Sequence, residues 1–310
     1  MNAELGVAAG IALTLLASTA GAYVVAIIDD AIARAAAGEP MELKRTLSGP
    51  AREAALLLLQ DRTTTERPDA PVWLGAPALL AGLAAAALSL VPLGPAGAVA
   101  DAEAGIVLFG AAAALVMVAV YGHGWAPNSV LPLIGGYRFV ALALSYEMPL
   151  ALVLIAAALP AQSLSLSVIA ASQAELWNVV RQPLGLPLYL IAGLGLAFRG
   201  PLDHPDAADL AGGTLVEVSG ISRLLWQWAR ASMLVAVAAV GATVFLGGWL
   251  GPWLPGPVWL IVKTLALLML LVAAGHLLAR LRLERFVVIA WAVLIPLALV
   301  DVFLSGILLL

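Results

Sequence analysis

The chain has 310 residues, of which 63% are hydrophobic and 11% charged, with a formal net charge of −4. A mean hydropathy of +1.04 excludes a water-soluble core under a polar coat and implies an all-α polytopic membrane protein, one transmembrane domain over residues 1–310. With no Cys and three scattered His (His123, His204, His276), the chain offers no thiolate for an iron–sulfur cluster or zinc, no disulfide and no metal site.

Apolar runs near 4–28, 72–93, 104–122, 138–159, 184–199, 224–247, 257–279 and 285–309 predict about eight spans of roughly 20 residues. Met1 to Leu5 carries Glu4 and no Lys or Arg, so the first run reads as a retained helix rather than a secretory leader. The loop 29–71 that follows holds Arg34, Lys44, Arg45, Arg52, Arg62 and Arg67. Within it, Ala51 to Gln60 is too short to span and reads as an interfacial helix, or as an ordinary connecting helix. Later loops on the same side hold Arg138, Arg199, Arg223, Arg280, Arg282 and Arg285, whereas the opposite side has Arg181 beside Asp101, Glu103 and Glu175. The positive-inside rule puts the basic loops in the cytoplasm and both termini outside.

Ionisable groups within spans are candidates for function. Glu147 lies nine residues past Arg138, roughly 13 Å deeper at about 1.5 Å per residue. It reads as a proton-relay carboxyl or as a neutral, hydrogen-bonded packing residue. Lys263 sits inside the seventh run and requires a carboxylate or water, or else snorkels to the interface. Glu4, His276 and Asp301 read as anchors at span ends, and His123 as a cap. Between the fifth and sixth runs, the loop 200–223 crowds Asp203, Asp206, Asp209 and Glu217 together. Lipid tolerates so many carboxylates only where water or a partner subunit reaches them. Gly247 to Pro257, with Trp249 and Trp253, predicts a tight outer-face turn in the aromatic belt. Nothing has the pattern of a catalytic triad, a phosphate-cradling loop or a nucleic-acid surface. These features alone fit a transporter, a proton pump or a membrane anchor.

Three groups of motifs narrow the choice. The first is Gly124-Trp-Ala-Pro-Asn-Ser129, then Gly135-Gly-Tyr-Arg138 and Ser145-Tyr-Glu147. The second is Pro201-Leu-Asp203 with Asp206, Asp209 and Glu217-Val-Ser-Gly220. The third is Phe245-Leu-Gly-Gly-Trp-Leu-Gly-Pro252, Trp259, Lys263, Arg280-Leu-Arg-Leu-Glu284, Trp291 and Pro296. In order and spacing these resemble subunit 1 (the H subunit) of proton-pumping NADH:quinone oxidoreductase, respiratory complex I, and the homologous membrane component of energy-converting [NiFe] hydrogenases and formate hydrogenlyases. The resemblance runs from about position 122 to the end. Leu202 and Val218 stand where the family has Phe and Tyr, the acidic loop is one residue short, and only Ser48 to Glu53 and a shortened helix remain of a longer amphipathic helix.

The resemblance implies a non-redox membrane-arm subunit of a multisubunit oxidoreductase, multi-pass in a prokaryotic plasma membrane. It would anchor hydrogenase-like large and small subunits and iron–sulfur proteins, and adjoin antiporter-like subunits and lipid. It implies no cofactor in this chain. Quinone would bind at the interface with the redox arm, and iron–sulfur clusters, with NiFe in the hydrogenase relatives, would sit in partners. Glu147, Glu217 and Lys263 would relay protons, and Asp203, Asp206 and Asp209 would form the coupling loop. Arg138, Arg199, Arg280, Arg282 and Glu284 would be counter-charges or docking groups. The alternative, a stand-alone secondary transporter, calls for inverted repeats with broken helices, and no convincing pair is present.

Overall fold

In hydrocarbon an unpaired backbone N–H or C=O costs several kcal/mol, so long apolar segments settle as helices that satisfy their own backbone. The structure, a computed structural model, describes residues 6–95, 97–207 and 211–307; Glu4 and Asp209 lie outside them. In chain order the helices begin with α1 (Val7–Ala37), α2 (Leu43–Leu59) and α3 (Ala70–Ser89). A small antiparallel hairpin, β1 (Pro92–Gly94) and β2 (Gly97–Ala98), leads to α4 (Gly105–Trp125) and α5 (Val130–Ala158). Three short helices follow, α6 (Leu166–Ala171), α7 (Asn178–Arg181) and α8 (Gly185–Leu196). Last come α9 (Gly220–Phe245), α10 (Gly256–Leu277) and a continuous run of α11 (Leu283–Ile289), a π-helical turn at Ala290–Leu294 and α12 (Ile295–Ile307).

Among the described residues, 7 helices are long and apolar enough to cross a membrane: α1, α3, α4, α5, α9, α10 and the 283–307 run. The run expected at 184–199 is helical only over the 12 residues of α8. It still traverses the bundle. At one end the Gln182 amide donates to Ala156 O of α5, and at the other the Phe198 ring meets Phe139 of α5. Those α5 positions are about 25 Å apart at about 1.5 Å per residue. Thus a short helix with tight turns at both ends covers the depth of a longer one. The loop expected at 29–71 is also more helical than its charges suggest. α1 continues to Ala37, where Gly38 takes the left-handed C-cap (φ 70°), and α2 spans Leu43–Leu59 with Pro50 inside it.

Helix α9 is the hub, packed on α1, α2, α3, α8 and α10. Small residues let the backbones meet closely, the usual basis of helix association in lipid. A Cβ on Gly193 would lie 2.5 Å from Val237 Cγ1, and one on Gly195 2.6 Å from Tyr146 Cδ1, so α8 nests between α9 and α5. Both ends of the described chain lie at the end away from the acidic loop. Gly10 abuts Val99 beyond α3, and Asp301 of α12 abuts Gly185 at the start of α8. Gly195→Ala should destabilise the bundle by about 1–3 kcal/mol through overpacking on Tyr146. Thermal denaturation in detergent would read this as a lowered midpoint, with Gly82→Ala, which meets open space, as the unchanged control.

Candidate functional site

The acidic loop is folded down onto the helices rather than left in solvent. Its floor is Gly135, where a Cβ would lie 2.5 Å from Thr214 N and 2.7 Å from Pro205 O, both backbone atoms. Only glycine lets the loop backbone approach this closely. One turn on, Arg138 donates to Ala211 O and Gly212 O, each at 2.6 Å, and so pins the far side of the loop.

Asp206 enters the protein from a 3₁₀ turn at His204–Asp206 and is buried. Its Oδ1 accepts from Thr214 Oγ1 at 2.9 Å and Trp226 Nε1 at 2.7 Å, while Arg230 Nη1 pairs with Oδ2. Trp226 and Arg230 are four residues apart on α9 and therefore share a face. The Trp226 indole stacks on the buried His123 ring at 3.8 Å between centroids. Sequence reasoning gave His123 a capping role. Instead neither ring nitrogen has a partner, and the ring serves as a flat surface under Trp226.

A second set of charges gathers beside the first. Arg199 pairs with Asp29 near the end of α1, and His276 Nε2 of α10 meets the same Asp29 Oδ1 at 2.8 Å. His276 thus lies in the last turn of α10, at a span end as expected, and there meets the Asp29 carboxylate. Gly200 and Gly275 make the arrangement possible, since a Cβ on Gly200 would lie 3.0 Å from Gly275 Cα. Burial, then the neighbouring Arg230 charge, pushes the Arg199 guanidinium below its ordinary pKa, against the pull of Asp29 and Asp203. Phe198, just before it, ends α8 in the left-handed region (φ 36°), a position that glycine usually takes. The conformation holds the Phe198 ring under Arg230, 5.8 Å from Cζ. Asp203 pairs with Arg280 at 2.6 Å, and His204 contacts Leu281 O at 3.0 Å, tying the loop to the turn after α10. Arg282 and Glu284 are exposed on that same turn.

Glu217 stands at the other edge of the loop. Its Oε1 accepts from Ser129 Oγ at 3.0 Å, and its backbone oxygen accepts from Thr63 Oγ1 at 2.7 Å. Thr63 N in turn donates to Ser219 Oγ at 2.7 Å. Loop and first basic connection therefore form one layer at one end of the bundle.

Glu147 and Lys263 do not join this layer. Glu147 lines an otherwise apolar groove of about 680 Å³ between α4 and α5, bordered by Met148, Leu154 and the π-turn residue Trp291. Its Oε1 is buried without a hydrogen-bond partner. Lys263 is buried at the opposite end, where Nζ donates to Leu246 O (2.6 Å), Gly248 O (3.0 Å) and Leu250 O (2.6 Å). It also lies 4.3 Å from the Trp177 ring centroid. No carboxylate pairs with it among the described residues. The last carbonyls of α9 and the turn beyond lack N–H partners, and they take the place of the expected carboxylate or water.

Asp29 and Arg230 escaped the sequence analysis. Asp29 looked like the first residue of a polar loop. The signal for Arg230 was present: an arginine inside the apolar run 224–247, one turn after Trp226.

A family model described as NADH dehydrogenase matches residues 38–306. The NADH-quinone oxidoreductase H subunit 2 of Rhodopseudomonas palustris (strain ATCC BAA-98 / CGA009) is 37% identical over 251 residues, 79% of this chain and 78% of the relative. The corresponding H subunit 1 of R. palustris strain BisB5 is 36% identical over 233 residues, 75% of this chain and 73% of its own. The H subunit of the Geobacillus kaustophilus (strain HTA426) NADH-quinone oxidoreductase is 34% identical over 257 residues, 81% and 77% respectively.

Two outcomes follow from these contacts. Asp206→Ala leaves the Arg230 guanidinium and Trp226 N–H without their acceptor and should cost about 3–5 kcal/mol. Arg230→Met in the same chain should restore part of that loss, measured as folded chain recovered from membranes and as thermal midpoint. Lys263→Met strands three carbonyls and should cost about 2–4 kcal/mol on the same assay.

Proposed function

The chain belongs to the H-subunit family of NADH-quinone oxidoreductase, and on that premise we propose that it couples electron transfer in a bound redox arm to proton translocation through the membrane. The observation that carries this reading is continuity from the acidic loop to the buried glutamate. Asp206 is held by Trp226, and packed rings lead on from there. Trp226 lies 5.9 Å from Phe198, Phe198 5.3 Å from Phe139, and Phe139 6.4 Å from Tyr146, centroid to centroid. Tyr146 immediately precedes Glu147.

Packed elements of this kind transmit a displacement because they have discrete arrangements rather than a continuum. A redox-dependent shift of the arm would move Asp203 and Asp206 against Arg280 and Arg230, and the Asp29–Arg199–His276 set would respond through its shared charges. At the far end Glu147 has an oxygen without a partner, in a groove whose hydration decides whether the carboxyl keeps its proton. Arg282 and Glu284, exposed beside the loop, suit docking of the arm, while Arg138, Arg199 and Arg280 act as counter-charges. Glu217 would join the relay where the loop meets Ser129. Antiporter-like subunits would receive the proton flux. Quinone, named as acceptor in the relatives, would bind at the interface with the arm, and the iron–sulfur clusters would belong to partners.

All of the 15 Lys and Arg residues except Arg181 and Lys263 lie toward the loop end of the bundle. That asymmetry supports a cytoplasmic acidic loop and both termini outside, in a prokaryotic plasma membrane. The stand-alone transporter reading has no comparable support, since the relatives are named as subunits of an oxidoreductase.

Glu147→Gln preserves shape and replaces the titratable carboxyl with a neutral amide. In membrane vesicles containing the assembled complex it should abolish redox-driven acidification, read with a pH-sensitive dye, while the subunits still co-purify. Undiminished pumping would overturn the relay role.

A further inference from the structure

Asp301, expected at the interface, is buried to 1% exposure in α12. Across from it is Gln182, 2% exposed, at the end of α7. A Cβ on Gly185 would lie 3.1 Å from Asp301 Oδ2 and 3.5 Å from Gln182 Oε1, so both oxygens border the same small gap over α8. Neither oxygen has a hydrogen-bond partner, and both are fully shielded. The Gln182 amide cannot turn to relieve this. Its Nε2 donates to Ala156 O at 2.6 Å, and a flip would set two acceptors at that distance. Two buried acceptors thus face one gap without a donor.

We propose that Asp301 carries a proton shared with Gln182 Oε1, forming a membrane-embedded proton-binding site at the end of the bundle opposite the acidic loop. A protonated carboxyl supplies the one donor the pair lacks, whereas an ionised one would leave a bare charge in a low-dielectric setting beside a second acceptor. Among the described residues, no hydrogen bond reaches Asp301 Oδ2 or Gln182 Oε1 from the charged and titratable groups of the surrounding elements. Arg181 of α7 donates to Ser172 O at 3.1 Å, and Tyr189 of α8 donates to Val237 O at 2.8 Å. Lys263, which caps the end of α9, has its ammonium occupied by three carbonyls, and Glu147 of α5 lies in the groove facing α4. Phe245 of α9 closes the remaining side, 2.9 Å from the same Gly185 Cβ position. The site goes beyond the coupling reading and does not rest on it, since it needs no electron transfer.

Infrared spectroscopy of the full chain in lipid nanodiscs tests the site without turnover. With Asp carboxyls ¹³C-labelled, a protonated-carboxyl stretch shifted by the label should be present at neutral pH and absent in Asp301→Asn. The native labelled chain gives an answer even if the variant folds poorly, because the other described aspartates are paired or water-facing. Absence of any Asp-derived protonated band would overturn the proposal. So would loss of the band on adding sodium at constant pH, which would make the pair a metal-cation site. Failure of Glu147→Gln to stop pumping would leave this result untouched.

Discussion

An aspartate at a crowded helix end must find a cation or a donor, and the loop end of this protein is arranged around three that do, Asp206 buried and Asp29 and Asp203 partly exposed. Asp29, Asp203 and Asp206 come from α1 and the acidic loop, and their partners Arg199, His276, Arg280 and Arg230 come from four other points in the chain. Each pairing crosses between elements, so the charges decide how α1, α9, α10 and the loop sit together. Removing a partner of buried Asp206 strands its carboxylate in a poor solvent for charge, whereas Asp29 and Asp203 keep access to water, so the arrangement depends most on Asp206. The same interdependence makes it sensitive to a new charge arriving from outside.

The two buried groups away from this layer show how context assigns different roles to similar residue types. Lys263 is saturated by carbonyls and holds the end of α9 closed. Glu147 is left with an oxygen unsatisfied in an apolar groove, beside a π-helical turn, a feature found disproportionately at functional places in helices. A satisfied ion holds its place, whereas the Glu147 carboxyl keeps an unused oxygen.

Much of this was legible in the sequence. Hydropathy located every long helix, because lipid forces apolar runs into that one form. The clustering of basic residues marked one end of the bundle, and the spacing of Ser145-Tyr-Glu147 and of the loop acids carried the family resemblance. Pairing was not legible. Asp29 and Arg199 are far apart in sequence and meet where Gly200 approaches Gly275, a fact of three-dimensional packing with no local signature. Asp301 looked like an anchor for the same reason: its burial depends on α5, α8 and Gln182, none of them near it in sequence. Arg230 could have been found, since an arginine inside an apolar run is costly enough to demand a partner.

The brevity of α8 has a consequence for the segment that precedes it. A 12-residue helix is shorter than the spans around it, so the irregular stretch before it packs against α5 and α9 to make up the depth. There side-chain amides satisfy main-chain groups of the neighbouring elements. Gln173 donates to Thr243 O and accepts from Gly247 N, and Asn178 donates to Ala157 O and Val244 O. The amides of Gln173, Asn178 and Gln182 thus act as fixed partners for main-chain groups, a part that mobile water plays at an open loop.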